Sequence, residues 1–119
     1  MPVKVLIVDD HPSFRATARL LLESEGFEVV GEAADGTTGL LAARELEPDL
    51  VLLDVQLPDV DGFQVAAELT GCTGGPAVVI TSSRDGADFG PLVSASGARG
   101  FIPKAELSGA ALLALLEHA

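Results

Sequence analysis

Leu50-Val51-Leu52-Leu53-Asp54 is four large apolar residues running straight into a carboxylate. A strand with one wet face alternates apolar and polar side chains. An unbroken apolar run belongs to a strand covered on both faces, as in a parallel sheet flanked by helices. Asp54 then stands at the carboxyl end of a central strand. Two more runs repeat the design. Val3-Lys4-Val5-Leu6-Ile7-Val8 ends in Asp9-Asp10, and Ala77-Val78-Val79-Ile80 ends in Thr81-Ser82-Ser83. Gly100-Phe101-Ile102 is a shorter strand ending at Pro103-Lys104, and the stretch from Phe27 to Ala33 alternates enough for a strand nearer an edge.

Helical patterns fill the intervals. Pro12-Ser13 opens one with Phe14, Ala18, Leu21 and Leu22 on a single face, and Gly26 stops it. Asp35 caps a second that runs to about Glu47 with Leu40, Ala43 and Leu46 inward, and Pro48 closes it. A third follows Gly62 as far as about Leu69, and Gly71 to Pro76 reads as a loop. A last helix is expected from Glu106 to His118, where His118 would complement the helix dipole. The stretch from Arg84 to Ala98 is the least self-supporting, because Gly86, Gly90, Pro91 and Gly97 interrupt it. A helix shorter than the others is expected there, beginning near Phe89 to Pro91 after a mobile lead-in. Strand–helix alternation throughout predicts a single α/β domain over residues 1–119. Its sheet should be doubly wound, five-stranded and parallel, in the flavodoxin-like order 2-1-3-4-5.

Composition narrows the function. With 119 residues, 48% of them hydrophobic, the chain can bury a core without disulfides. Its one cysteine, Cys72, forms no internal bridge, sits in a Gly/Thr loop and is read as inert, which suits a reducing cytoplasm. No apolar run approaches the ~20 residues of a membrane span, and the N-terminus lacks the features of a signal peptide. A net charge of −11 repels phosphate backbones, so direct nucleic-acid binding by this chain is not expected.

Ligands of doubly wound sheets bind at the carboxyl ends of the strands. There the sequence gathers Asp9, Asp10, Asp54, the Thr81-Ser82-Ser83 hydroxyls and Lys104. Each has an ordinary explanation alone: a turn former, a helix cap, a strand end, a solvated charge. Together three close carboxylates would repel one another unless a cation sat among them. Mg²⁺ is the natural occupant, with Lys104 adding positive charge. His11 is read as a polar neighbour of the acids rather than a ligand, since Mg²⁺ prefers oxygen.

Three runs closely resemble receiver domains of two-component response regulators, the CheY-like superfamily. They are Val5-Leu6-Ile7-Val8-Asp9-Asp10-His11-Pro12, the stretch from Pro48 to Gly62 through Asp54-Val55-Gln56-Leu57-Pro58-Asp59-Val60-Asp61, and Gly97-Ala98-Arg99-Gly100-Phe101-Ile102-Pro103-Lys104. The similarity covers essentially the whole chain. The Asp-Asp-His-Pro start and Val30-Gly31-Glu32-Ala33 resemble the subgroup that usually carries a C-terminal LuxR-type DNA-binding domain, which these 119 residues do not contain. The resemblance implies Asp54 as phosphoacceptor, and Asp10, Asp54 and the Gln56 backbone carbonyl as Mg²⁺ ligands, with Asp9 acting through water. It implies Thr81 as the switch hydroxyl, Lys104 as the partner of a phosphoryl oxygen, and Phe101 as the aromatic switch position. The implied partners are a sensor histidine kinase or phosphotransfer protein, a downstream protein target or fused output domain, and a second copy on phosphorylation. The chain would be no enzyme beyond its own phosphorylation and dephosphorylation.

Other classes fit less well. A phosphatase of the haloacid-dehalogenase type would want a second acid where Gln56 stands, and an FMN binder would want a hydroxyl- and glycine-rich loop where Asp9-Asp10 stand. A degenerate, phosphorylation-independent receiver is the nearest alternative, and the complete set of acids plus Lys104 speaks against it.

Overall fold

A computed structural model describes residues 2–71, 74–83 and 90–117. Cys72, His118 and residues 84–89, the expected lead-in to the fourth helix, lie outside the described residues. In chain order the elements are β1 (Lys4–Val8), α1 (Pro12–Ser24), β2 (Glu28–Ala33), α2 (Gly36–Leu46), β3 (Leu50–Asp54), α3 (Gly62–Thr70), β4 (Ala77–Ser82), α4 (Gly90–Ala95), β5 (Gly100–Pro103), a 3₁₀ turn (Lys104–Glu106) and α5 (Gly109–Glu117). All strand pairs are parallel and the order is β2-β1-β3-β4-β5, as the alternation predicted. Among the described residues no helix is long and apolar enough to cross a membrane.

Successive residues of the central strands feed two cores. Leu6, Val8, Val51, Leu53, Val78 and Ile80 face Ala43 of α2 and Val65, Ala66 and Leu69 of α3. Val5, Ile7, Leu50, Leu52 and Val79 face Ala18 and Leu22 of α1 and Leu112 of α5. Every apolar residue of β3 is fully buried, which is why its sequence does not alternate. Each such side chain contributes roughly 1.5–3 kcal/mol relative to exposure.

Two expectations need correction. Leu46 is 39% exposed rather than inward. It lies in the last turn of α2 above Gly31 of the edge strand β2, where a Cβ would come 2.7 Å from its Cδ1, and an edge strand covers only one side. The last helix starts at Gly109, not at Glu106. Lys104 to Glu106 close a 3₁₀ turn, Leu107 is extended, and the Ser108 hydroxyl accepts the Ala111 amide at 3.0 Å, which makes Ser108 the cap. The short fourth helix is as expected: six residues from Gly90, followed by Gly97 at φ +81.

The segment between β3 and α3 folds back over the end of β3. Gly62 donates its amide to the Val55 carbonyl at 2.9 Å, and Asp61 caps α3 by accepting the Phe63 amide at 2.7 Å. Asp59 reaches sideways to the first turn of α2. It accepts the Gly36 amide (2.8 Å), the Thr37 amide (3.0 Å) and the Thr37 hydroxyl (2.7 Å). These bonds, that from Gly36 first, hold its carboxyl down at about 2.

Candidate functional site

Register builds the site. Val8 pairs with Leu53 and Asp54 with Thr81, so Asp9 emerges beside Asp54 and Thr81 lies directly across from it. Ser82 pairs with Pro103, which delivers Lys104 to the same rim. Asp9 and Thr81 are fully buried and Asp54 is 3% exposed. The Lys104 ammonium lies 2.6 Å from Asp9 Oδ2 and 3.6 Å from Asp54 Oδ2. The shorter contact is ionic and lacks hydrogen-bond geometry. The Phe14 ring of α1 covers the ammonium at 4.4 Å to the centroid, a distance at which a ring face attracts a cation.

The first two acids are tied into α1. Asp9 Oδ1 accepts the His11 amide at 2.8 Å. The His11 Nδ1 lies 3.1 Å from both Asp9 Oδ1 and Asp10 Oδ1. Arg15 donates to the Asp9 carbonyl at 2.6 Å, and Arg15 and Arg19 both grip Glu32 of β2. Asp10 is more open, its side chain 36% exposed. Burial pushes the Asp54 carboxyl up, and Asp9 pushes the same way; Lys104 and the Gln56 amide, 3.4 Å from Asp54 Oδ1, pull it down. Replacing Lys104 by Met is therefore expected to move the Asp54 titration midpoint further up in a carboxyl NMR titration. An unmoved or lowered midpoint would show the two groups uncoupled.

Asp9, Asp10, His11 and Asp54 each offer one ligand atom, all within 4.8 Å of one another. Three carboxylates against one lysine leave unbalanced negative charge, and a hard divalent cation with oxygen ligands fits that donor set. Among the described residues, the buried Asp9 Oδ2 and Thr81 Oγ1 have no hydrogen-bond partner; Asp9 Oδ2 has the Lys104 charge, and Thr81 Oγ1 has nothing comparable.

Asp9, Asp10, Asp54, Gln56, Thr81 and Lys104 thus share one rim. Phe101 stands apart, pairing with Ile80 and packing partly buried against the core on the α3 side. The sequence reading missed the Phe14 ring over Lys104 and the Arg15 bond to Asp9. The helical pattern places Phe14 only on the inward face of its helix, and the one available signal is its place a single helical turn beyond the acidic pair. A recess of about 430 Å³ opens beside Pro48-Asp49 and Gly75-Pro76, ahead of β3 and β4, and shares no residue with this cluster.

Residues 5–117 match the family model of the response regulator receiver domain, and the chain belongs to that family. It is a receiver module of two-component signalling, a class of signalling domain rather than of classical enzymes, whose members work with histidine kinases and output domains. BvgA of Bordetella pertussis is 44% identical over 103 residues, which are 87% of this chain and 49% of that protein. The chain spans about half the length of the curated relatives it matches. Among solved structures, the signal receiver domain of NarL from Mycobacterium tuberculosis superposes with a TM-score of 0.86 at 34% identity, covering 98% of both chains. A chain of the CheX–CheY–BeF3–Mg²⁺ complex of Borrelia burgdorferi gives 0.84 at 27% identity, covering 98% of this chain and 87% of that one.

Proposed function

We propose that this receiver takes a phosphoryl group from a phosphohistidine onto Asp54 and that the resulting acyl phosphate resets its output surface. The observation that carries this reading is the Thr81 hydroxyl, buried and without a hydrogen-bond partner among the described residues. An unsatisfied buried polar group costs about 1–3 kcal/mol. Thr81 is the register partner of Asp54, so a phosphoryl oxygen on Asp54 would give that hydroxyl its acceptor.

An Asp54 carboxylate oxygen attacks phosphorus in line. The O–P bond forms as the P–N bond breaks, and the electron pair leaves on the imidazole nitrogen, which then takes a proton. Lys104, the Thr81 hydroxyl and the amides that follow Asp54 stabilise charge on the equatorial oxygens. Asp10, Asp54 and the Gln56 carbonyl, with Asp9 through water, would hold Mg²⁺, which would supply further positive charge in the site. Once the oxygens are in place, Lys104 has a stronger partner than Asp9, and Thr81 moves toward the phosphoryl group. Thr81 and Phe101 are the residues through which the change passes to β4, β5 and α4. The partners in this reading are a sensor histidine kinase or phosphotransfer protein, a downstream target or fused output domain, and a second phosphorylated copy, in the cytoplasm. A phosphorylation-independent module has no observation in its favour, since acids, lysine and hydroxyl stand together.

The test is incubation with acetyl phosphate and Mg²⁺. Intact-mass measurement is expected to show one added phosphoryl group, labile to hydroxylamine as an acyl phosphate is, and lost under chelation. An unmodified protein, or a hydroxylamine-stable adduct, would overturn the assignment.

A further inference from the structure

The segment from Val55 to Asp61 carries Gln56 and the first amides after Asp54, so its position decides where those groups stand. Apolar packing and polar bonds both hold it. Leu57 and Val60 pack against the core, and such contacts are non-directional. Directional bonds pin its two ends, Val55 to the Thr81 carbonyl and the Gly62 amide, and Asp61 to the start of α3; the lateral hold on its middle is the Asp59 carboxylate, which takes three donors from Gly36 and Thr37, in the first turn of α2. The approach is close enough to require glycine. A Cβ on Gly36 would run into Val60 Cγ2, lie 3.0 Å from Val65 Cγ2 and come 3.3 Å from Asp59 Oδ1. Asp59 is not needed to end or begin α2, because Asp35 already caps that helix by accepting the Thr38 amide at 2.8 Å. One exposed carboxylate therefore bridges the segment after β3 to the first turn of α2.

We propose that Asp59 is a positioning residue for the chemistry at Asp54: its bonds to the first turn of α2 hold the segment that follows β3, and Gln56 with it, in register with the phosphoacceptor. The proposal rests on the phosphoacceptor reading above. Asp59 touches neither phosphorus nor metal; it acts through the backbone of residues 55–60. Partners that orient a metal ligand from outside typically matter about 10–100-fold in affinity or activity.

Asp59→Ala, Asp59→Asn and Asp35→Ala are compared in the full chain by Tm, by amide exchange over residues 55–60, by Mg²⁺ affinity from NMR titration and by the rate of phosphoryl uptake from acetyl phosphate. Asp35→Ala removes the other carboxylate at the same helix end, so it reports what loss of a helix cap alone does. Asp59→Ala is expected to weaken Mg²⁺ by about ten-fold or more, to slow uptake and to speed exchange over residues 55–60. Asp59→Asn, which keeps one acceptor oxygen, falls between it and wild type. Asp35→Ala lowers Tm comparably while leaving Mg²⁺ affinity within about two-fold of wild type. Wild-type affinity and uptake in Asp59→Ala, or equal losses in Asp35→Ala, would overturn the positioning role while wild type still takes the phosphoryl group. A wild type that binds no Mg²⁺ and takes no phosphoryl group would instead overturn the underlying reading, and this proposal with it.

Discussion

Asp54→Asn should take up no measurable phosphoryl group from acetyl phosphate or a phosphorylated kinase, and it should melt no lower than wild type. The first result follows from chemistry: a side-chain amide lacks the carboxylate charge that attacks phosphorus. The second follows from the site's electrostatics. Burial and Asp9 both oppose ionisation of Asp54, so the folded protein holds this proton more tightly than the unfolded chain does. Stability is then lost as pH rises from the ordinary carboxyl value of 3.8 through the raised value in the fold. Asparagine removes that charge, so the mutant's Tm should match or exceed wild type near neutral pH and show less of the decline. Intact mass and a Tm–pH series check both. Residual uptake at wild-type rate would move the phosphoacceptor elsewhere. A much lower Tm would mean that Asp54 is held by favourable contacts instead of being kept in spite of unfavourable ones.

Gly62→Ala should be among the most damaging single-methyl substitutions in the chain. Gly62 is not among the positive-φ glycines, so the requirement is one of space. Its added Cβ would fall on the Asp54 carbonyl oxygen, 2.9 Å from Val55 Cα and 3.0 Å from the Val55 oxygen. All three are backbone atoms and none can rotate away. Overpacking ordinarily costs about 1–3 kcal/mol, occasionally more, and a clash with backbone belongs at the upper end. Against a total of roughly 5–15 kcal/mol for a domain, a loss near 3 kcal/mol lowers Tm by more than about 10 °C. The backbone being pushed is that of Asp54 itself, so phosphoryl uptake measured below the new Tm should fall as well. A Tm within a few degrees of wild type would show that α3 can slide away from β3 more easily than these distances allow.

The parts of the molecule that could be read beforehand share a physical origin. Asp9, Asp54 and Thr81 each come directly after an uninterrupted apolar run, and in a parallel sheet the ends of such runs share one edge. Lys104 was legible the same way, from the short run Gly100-Phe101-Ile102. What depends on how a helix is rotated and docked was not. Phe14 over Lys104, Arg15 on the Asp9 carbonyl and the exposure of Leu46 all turn on helix–sheet geometry that spacing alone does not encode. The late start of α5 had a local signal, Ser108 before Gly109, but the helix-favouring Ala105-Glu106-Leu107 outweighed it in the pattern. The lateral bond from Asp59 to α2 joins residues more than twenty positions apart, and no periodicity points to it.

Because Asp9, Asp54 and Thr81 are set side by side by strand register, their spacing is inherited from the hydrogen-bonded ladder, about 4.8 Å from one strand to the next. The sheet is a ruler, and the helices lie outside the measurement. Helix surfaces can then diverge, acquiring one partner and losing another, while the distances from carboxylate to carboxylate to hydroxyl stay as they are. A chemistry gauged in this way can be moved from one signalling route to another without being re-tuned.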